Sequence, residues 1–349
     1  MKHISSIIRL LLAVFRAVLV RVVHRLLCGP AVASWSWGVE LRVVALRAFM
    51  AACDERGNRE GRRWIEEQLD PPLPRELHGL VEAEPGVLGG VPGEWLRRTG
   101  FDDTTTLLYL HGGGYISGNP ATHRHFAGRL TWAAATKTFV LDYRLAPKHR
   151  FPAALDDAIA AYEDLISSGV DPESLFVAGD SAGGGLACAL LLWLRDVGHS
   201  LPAGTILFSP YTDLEHTGAS ISANAVTDYL PLTMGNAQPN TIYLGDHDPR
   251  DPLASPMHGD FTGLPPLLIF AGSREMILDD SIRLAEKARR DGAEVTLHIE
   301  PDMMHVWPAI IPRHPASLKA FAITAEFVRC ALRPSTGDRR HPDATGDDS

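Results

Sequence analysis

The chain has 349 residues, 45% apolar and 21% charged, enough for one large α/β domain carrying an insertion and too apolar for a disordered chain. Its net charge of −9 is uneven: residues 1–30 hold +5, from Lys2, Arg9, Arg16, Arg21 and Arg25, leaving −14 on an acidic body that argues against a nucleic-acid partner. Four Cys without close spacing exclude a disulfide scaffold and a zinc site, and they point to a reducing, cytoplasmic setting.

Residues 1–27 read as an amphipathic helix. Their longest apolar runs, Leu10–Phe15 and Ala17–Val20, fall short of the roughly 18–20 residues that span a bilayer. Arginines interrupt the apolar stretch instead of preceding it, which is not the pattern of a secretory signal. At 100° per residue Arg9, Arg16 and His24 fall within about 80° of one another, with Arg21 and Arg25 extending that side. Two readings follow: a helix contributing to a cap over the site, or a membrane-surface helix in peripheral contact with lipid.

The pattern stays helical over residues 35–69 until Pro71-Pro72 and Pro74 end it, so residues 1–75 form an N-terminal helical segment. Glu76–Ala83 and Glu94–Thr99 are short strands. Then Thr106–Leu110, Thr138–Asp142, Ser174–Gly179, Thr205–Ser209, Pro266–Ala271 and Glu294–Ile299 are short apolar runs, most of them followed by a helical stretch. Such alternation predicts a mostly parallel sheet covered by helices, within a domain of residues 76–333. From about 211 to 262 the alternation breaks, marking an insertion over one end of the sheet, and residues 334–349 are a polar tail expected to be disordered.

Gly179-Asp180-Ser181-Ala182-Gly183 fits G-x-S-x-G between a strand and a helix, where a strained turn presents the serine. His111-Gly112-Gly113-Gly114 follows a strand directly, and its glycines let backbone N–H groups turn toward a substrate oxygen. With Ala182, the Gly113 and Gly114 amides form a candidate oxyanion hole. The spacing fits neither a dinucleotide fingerprint nor a phosphate loop, and His111 is read as holding the glycine loop.

A serine hydroxyl needs a base, and the base needs an orienting acid. His305 alone among the later histidines sits in a loop beyond the last strand, whereas His298 lies within that strand and His314 begins the final helix. Glu275, at the carboxyl end of the preceding strand, is the chosen acid, with Asp279 as the alternative; Asp279 and Asp280 read as capping carboxylates of the next helix.

The HGGG loop, the GDSAGG elbow and the late histidine resemble the hormone-sensitive-lipase family of α/β-hydrolases, over about Leu107 to Leu332. Asp142-Tyr143-Arg144-Leu145-Ala146-Pro147 and Asp251-Pro252 resemble segments that the family uses structurally. The chain looks most like its bacterial acetyl-hydrolases and small esterases. That resemblance implies an α/β-hydrolase fold with a helical cap. It also implies hydrolysis of a small, hydrophobic carboxylic ester without metal or cofactor. Lys148 and Arg150 stand where the family usually has an acid and a Pro, and Glu275 stands where many members have Asp. A binding protein on the same fold is the alternative, as is a lactone or amide hydrolase; retention of His305 argues against the former. Trp35, Trp37, Tyr115, Tyr211, Tyr229, Leu230, Met234 and Trp307 are apolar candidates for the site's surroundings, each equally at home in a core.

Overall fold

A computed structural model describes residues 2–54, 71–102, 104–230 and 239–333. Eight strands form one sheet in the order β1-β2-β4-β3-β5-β6-β7-β8. β1 (Val81–Leu88) and β2 (Val91–Arg98) make an antiparallel hairpin, and β2 pairs antiparallel with β4 (Lys137–Leu141). β3 (Thr106–Leu110), β5 (Leu175–Asp180), β6 (Gly204–Phe208), β7 (Leu267–Gly272) and β8 (Val295–Glu300) continue the sheet in parallel.

Every residue of β3 and β5 is buried, as a strand covered on both faces requires. Two apolar clusters lie on the opposite faces. One holds Leu108, Leu110 and Val177 under helices Ala153–Ser167 and Ala182–Asp196; the other holds Leu107, Tyr109 and Phe176 under helices Pro120–Ala134 and Pro315–Ala331. Each fully buried Leu, Val or Phe contributes about 1.5–3 kcal/mol. Helix Pro120–Ala134 starts cleanly because Asn119 accepts the Thr122 N–H at 2.9 Å and Pro120 occupies the first turn. Losing such a cap costs about 1 kcal/mol.

The six parallel-pattern runs match β3 to β8 within a residue or two. The hairpin departs from expectation: β1 begins five residues after Glu76, and β2 begins before Glu94. Pro85, Gly86, Pro92 and Gly93 disguise both strands, yet the pairing needs the two glycines. A Cβ at Gly93 would lie 2.4 Å from the Phe139 ring of the neighbouring strand. The expected helix over 35–69 is seen as Trp37–Asp54, and its remainder lies outside the described residues, as do Met234 and residues 334–349. Within 211–262 the chain forms short helices Ser220–Ala223 and Pro239–Leu244 and a turn of 3-10 helix at Pro256–His258.

The first helix, Lys2–Cys28, packs on helix Trp37–Asp54. The direction of its arginines differs from expectation. Arg21 and Arg25 turn inward and both pair with Glu40, which is fully buried, while Arg16 and His24 stay exposed. A buried carboxylate must be neutralised, and that requirement outweighs the helical wheel.

Candidate active site

The site lies where the parallel strands end. Ser181 leaves β5 and caps helix Ala182–Asp196 with φ 52° and ψ −121°, a conformation that L-residues rarely adopt. The Ser181 N–H donates to Phe208 O at 2.9 Å, and its carbonyl accepts from Gly184 N–H at 3.0 Å. A Cβ at Gly183 would lie 2.0 Å from Leu110 O, so only glycine lets the turn seat against β3.

The glycine loop lies alongside. Gly113 has φ 124°, and a Cβ there would meet Ser117 O at 2.0 Å. None of the Gly113, Gly114 and Ala182 amides donates to a protein acceptor among the described residues. Asp180 joins the loop to the elbow: its Oδ1 accepts the Gly112 N–H at 2.9 Å and the Tyr109 hydroxyl, and its Oδ2 lies 3.7 Å from His123 Nε2. Burial pushes the Asp180 carboxyl up, but His123, Tyr109 and the Gly112 N–H together hold it below its usual range.

His111 is fully buried, stacked 4.2 Å from Tyr143, and its Nδ1 donates to Gly112 O at 2.8 Å. Burial and the nearby His123 push it down to about 3, so it is neutral and holds the loop.

His305 sits in the loop after β8, and Glu275 in the turn after β7; both are buried. His305 Nδ1 donates to Glu275 Oε2 at 3.1 Å, while Glu275 Oε1 accepts the Gly272 N–H at 3.1 Å. Burial pushes the imidazole down, but the hydrogen bond and charge of Glu275, with the charges of Asp228 and Asp180, raise it above its ordinary value. Val306 N–H donates to Ser209 Oγ at 3.0 Å, tying this loop to the end of β6.

Asp279 is turned elsewhere: its Oδ2 accepts the Ser220 N–H at 2.9 Å. Asp280 accepts the Thr212 and Asp213 N–H groups, both at 2.9 Å. Neither caps its own helix, Leu278–Arg290, whose N-cap is Ile277 without a side-chain bond. The amides beyond β6 have no sheet partner, and these carboxylates supply one.

The aromatic candidates divide. Trp35 and Trp307 belong to the core, Tyr115 stacks on Tyr243 at 3.9 Å, and the Tyr229 ring centre lies 6.1 Å from that of His305. Among the described residues one group, Asp213, Glu215 and His258, brings possible metal ligands within 4.8 Å of one another. Arg283 already pairs with Asp213 at 2.8 Å and Arg250 with Glu215 at 2.9 Å, so guanidinium groups meet that charge.

One residue went unnoticed in the sequence. Asp228, in the insertion, is fully buried beside the His305–Glu275 pair. No local pattern marks it, because its partners lie 48 and 77 residues away.

A serine on a strained strand-to-helix turn, beside unpartnered amides and a carboxylate-bound histidine at the sheet's carboxyl edge, defines the class of α/β-hydrolases. A family profile described as the alpha/beta hydrolase fold matches residues 107–309, and the chain belongs to that family, on its hormone-sensitive-lipase-like side. It is 43% identical to an acetyl-hydrolase of Streptomyces hygroscopicus over 74% of this chain and 87% of that protein. It is 35% identical to an esterase of Acinetobacter venetianus over 71% of this chain and 82% of the other. The crystal structure of an esterase from the bacterial hormone-sensitive lipase family superposes with a TM-score of 0.77 at 37% identity, covering 86% of this chain and all (100%) of the other.

Proposed function

We propose that the chain is a carboxylic-ester hydrolase acting on small to medium acyl groups through a Ser181–His305–Glu275 triad. The observation that carries this reading is the His305 Nδ1 to Glu275 Oε2 hydrogen bond of 3.1 Å, which leaves Nε2 as the base. Ser181 Oγ attacks the ester carbonyl and its proton passes to His305 Nε2. The carbonyl π pair moves onto oxygen, where the Gly113, Gly114 and Ala182 N–H groups receive it. As the C–O bond to the alcohol breaks, His305 returns the proton to the leaving oxygen. Water repeats the sequence on the acyl-enzyme, releasing the acid and restoring Ser181. Glu275 orients the ring and stabilises the imidazolium; the engagement of Asp279 with Ser220 supports Glu275 over it.

Ser181→Ala should lose about 10⁶-fold in kcat while remaining folded, and an organophosphate should label Ser181 in the parent protein. A chromogenic panel of esters of rising chain length, with a lactone and an anilide, reads the acyl group. Turnover by folded Ser181→Ala, or no hydrolysis of any acyl compound, overturns the reading; the second outcome is what a binding protein on this fold gives.

A further inference from the structure

None of residues 11–28 joins either apolar cluster of the hydrolase domain. The helix that carries them packs on helix Trp37–Asp54 and is tied down by polar contacts: Arg21 and Arg25 on Glu40, Arg25 Nη2 on Trp35 O at 2.8 Å and Arg21 Nη2 on Gly29 O at 3.3 Å. Two of its cations are thereby spent inward, and its apolar side is left to solvent. Leu11, Phe15, Leu19, Val23 and Leu26 are each at least 50% exposed, and at 100° per residue they span an arc of about 120°. Exposed Arg16 lies at the edge of that arc, and no acid precedes Glu40 in the chain, so this end is cationic while the remainder is acidic. No described helix is long and apolar enough to cross a membrane.

The foot of this helical pair is tied to the site. Ser34 Oγ donates to Asp302 Oδ2 at 2.8 Å and Trp35 Nε1 to Asp302 O at 2.6 Å. Asp302 stands three residues before His305 and pairs at 2.7 Å with Arg274, the neighbour of Glu275.

We propose that the outward face of helix Lys2–Cys28 lies in the headgroup layer of an anionic bilayer. Its apolar row enters the acyl boundary and exposed Arg16 at its edge meets phosphate, which brings the site beside it to esters dissolved in lipid. The last clause rests on the hydrolase reading; the docking does not.

The test is co-sedimentation of the full chain with phosphatidylglycerol–phosphatidylcholine vesicles and with pure phosphatidylcholine vesicles, beside hydrolysis of p-nitrophenyl butyrate in solution. Truncation is a poor variant, since it leaves buried Glu40 unpaired; Phe15→Glu, Leu19→Glu and Val23→Glu combined keep the Glu40 contacts. The parent should pellet with the anionic vesicles, and the triple variant should partition roughly tenfold less or weaker still, with unchanged turnover of the soluble ester. Parent protein left in the supernatant at low salt, equal pelleting of the variant, or a parent dimer that these substitutions dissociate overturns the proposal. Absence of ester turnover in the parent sinks the hydrolase reading and leaves docking standing.

A separate observation concerns Asp228. Its Oδ2 accepts the Met276 N–H at 2.7 Å, one residue after Glu275, and its Oδ1 accepts the Tyr229 N–H at 2.8 Å and faces the His305 N–H at 3.5 Å. A single buried carboxylate therefore bridges the loop of the acid and the loop of the base. We infer that Asp228 is a positioning residue that sets His305 against Glu275. Burial pushes its own carboxyl up to about 6. The charged groups facing His305 are Glu275, Asp228 and Asp180.

Asp228→Asn preserves shape and removes the charge. It should lower kcat by roughly 10- to 100-fold with KM little changed, and move the acid limb of kcat/KM to lower pH, because one anion that favours the imidazolium is gone. A purely structural role would leave the limb in place. Unchanged kcat and limb overturn the inference if His305→Ala is dead in the same assay; an active His305→Ala overturns the triad instead.

Discussion

The two halves of the site are held by different mixtures of steric and polar contact. On the nucleophile side, position is enforced by backbone contact: Gly183 and Gly113 sit where any Cβ would meet a carbonyl oxygen at 2.0 Å. On the acid–base side one comparable contact joins the two loops, at Gly272, where a Cβ would lie 2.3 Å from Met303 O, and side-chain hydrogen bonds add to it. Glu275 is held locally by the Gly272 N–H, and the adjoining Val306 and Met276 amides donate to Ser209 and Asp228 of distant segments. Steric fixation is insensitive to pH and charge, whereas a carboxylate network answers to both.

That contrast can be broken by substitution. After Ser181→Ala itself, the largest effect is expected on the polar half: Glu275→Gln keeps the shape, removes the charge opposite the imidazolium and should cut kcat by about 10⁴, measured by steady-state turnover. On the steric half, Gly113→Ala displaces the loop amide from the developing oxyanion and should cost about 10²- to 10³-fold in kcat, in the range of one lost oxyanion donor. Asp180→Asn is expected to be milder, about tenfold or less, because the Gly112 N–H keeps an acceptor while the charge is lost. The smallest effect is the most discriminating. A base must be neutral, so kcat/KM should fall as pH drops through a value above the ordinary 6.5 of histidine, His305 being raised. On the Ser181 side Asp180 is lowered and His111 is held near about 3, so neither of these titrates there. A limb at or below 6.5 would erase the distinction.

The same division explains what could be read in the sequence. Features set by nearest neighbours were legible: six strands from their apolar runs, though the edge strand β8 is only half-buried, the turn at Ser181 from flanking glycines, the loops of Glu275 and His305 from their positions after β7 and β8. Features set by distant partners were not. The hairpin was misplaced because Gly86 and Gly93 are explained by Trp95 and Phe139 across the sheet, outside any local pattern. Arg21 and Arg25 face inward only because Glu40 is buried beneath them, and Asp228 shows its purpose only when its two loops are seen together.

Ser181 itself has a thermodynamic side. Its φ of 52° with ψ of −121° is the conformation that opens a type II′ turn, one glycine adopts freely and serine does not. Holding a serine there costs about 1–3 kcal/mol. Glycine at this position gives back about 0.5–1 kcal/mol through its freer unfolded chain. Ser181→Gly should therefore melt a few degrees higher than the parent while being dead toward esters, read by calorimetry. Selection for thermal stability alone would work against the proposed nucleophile.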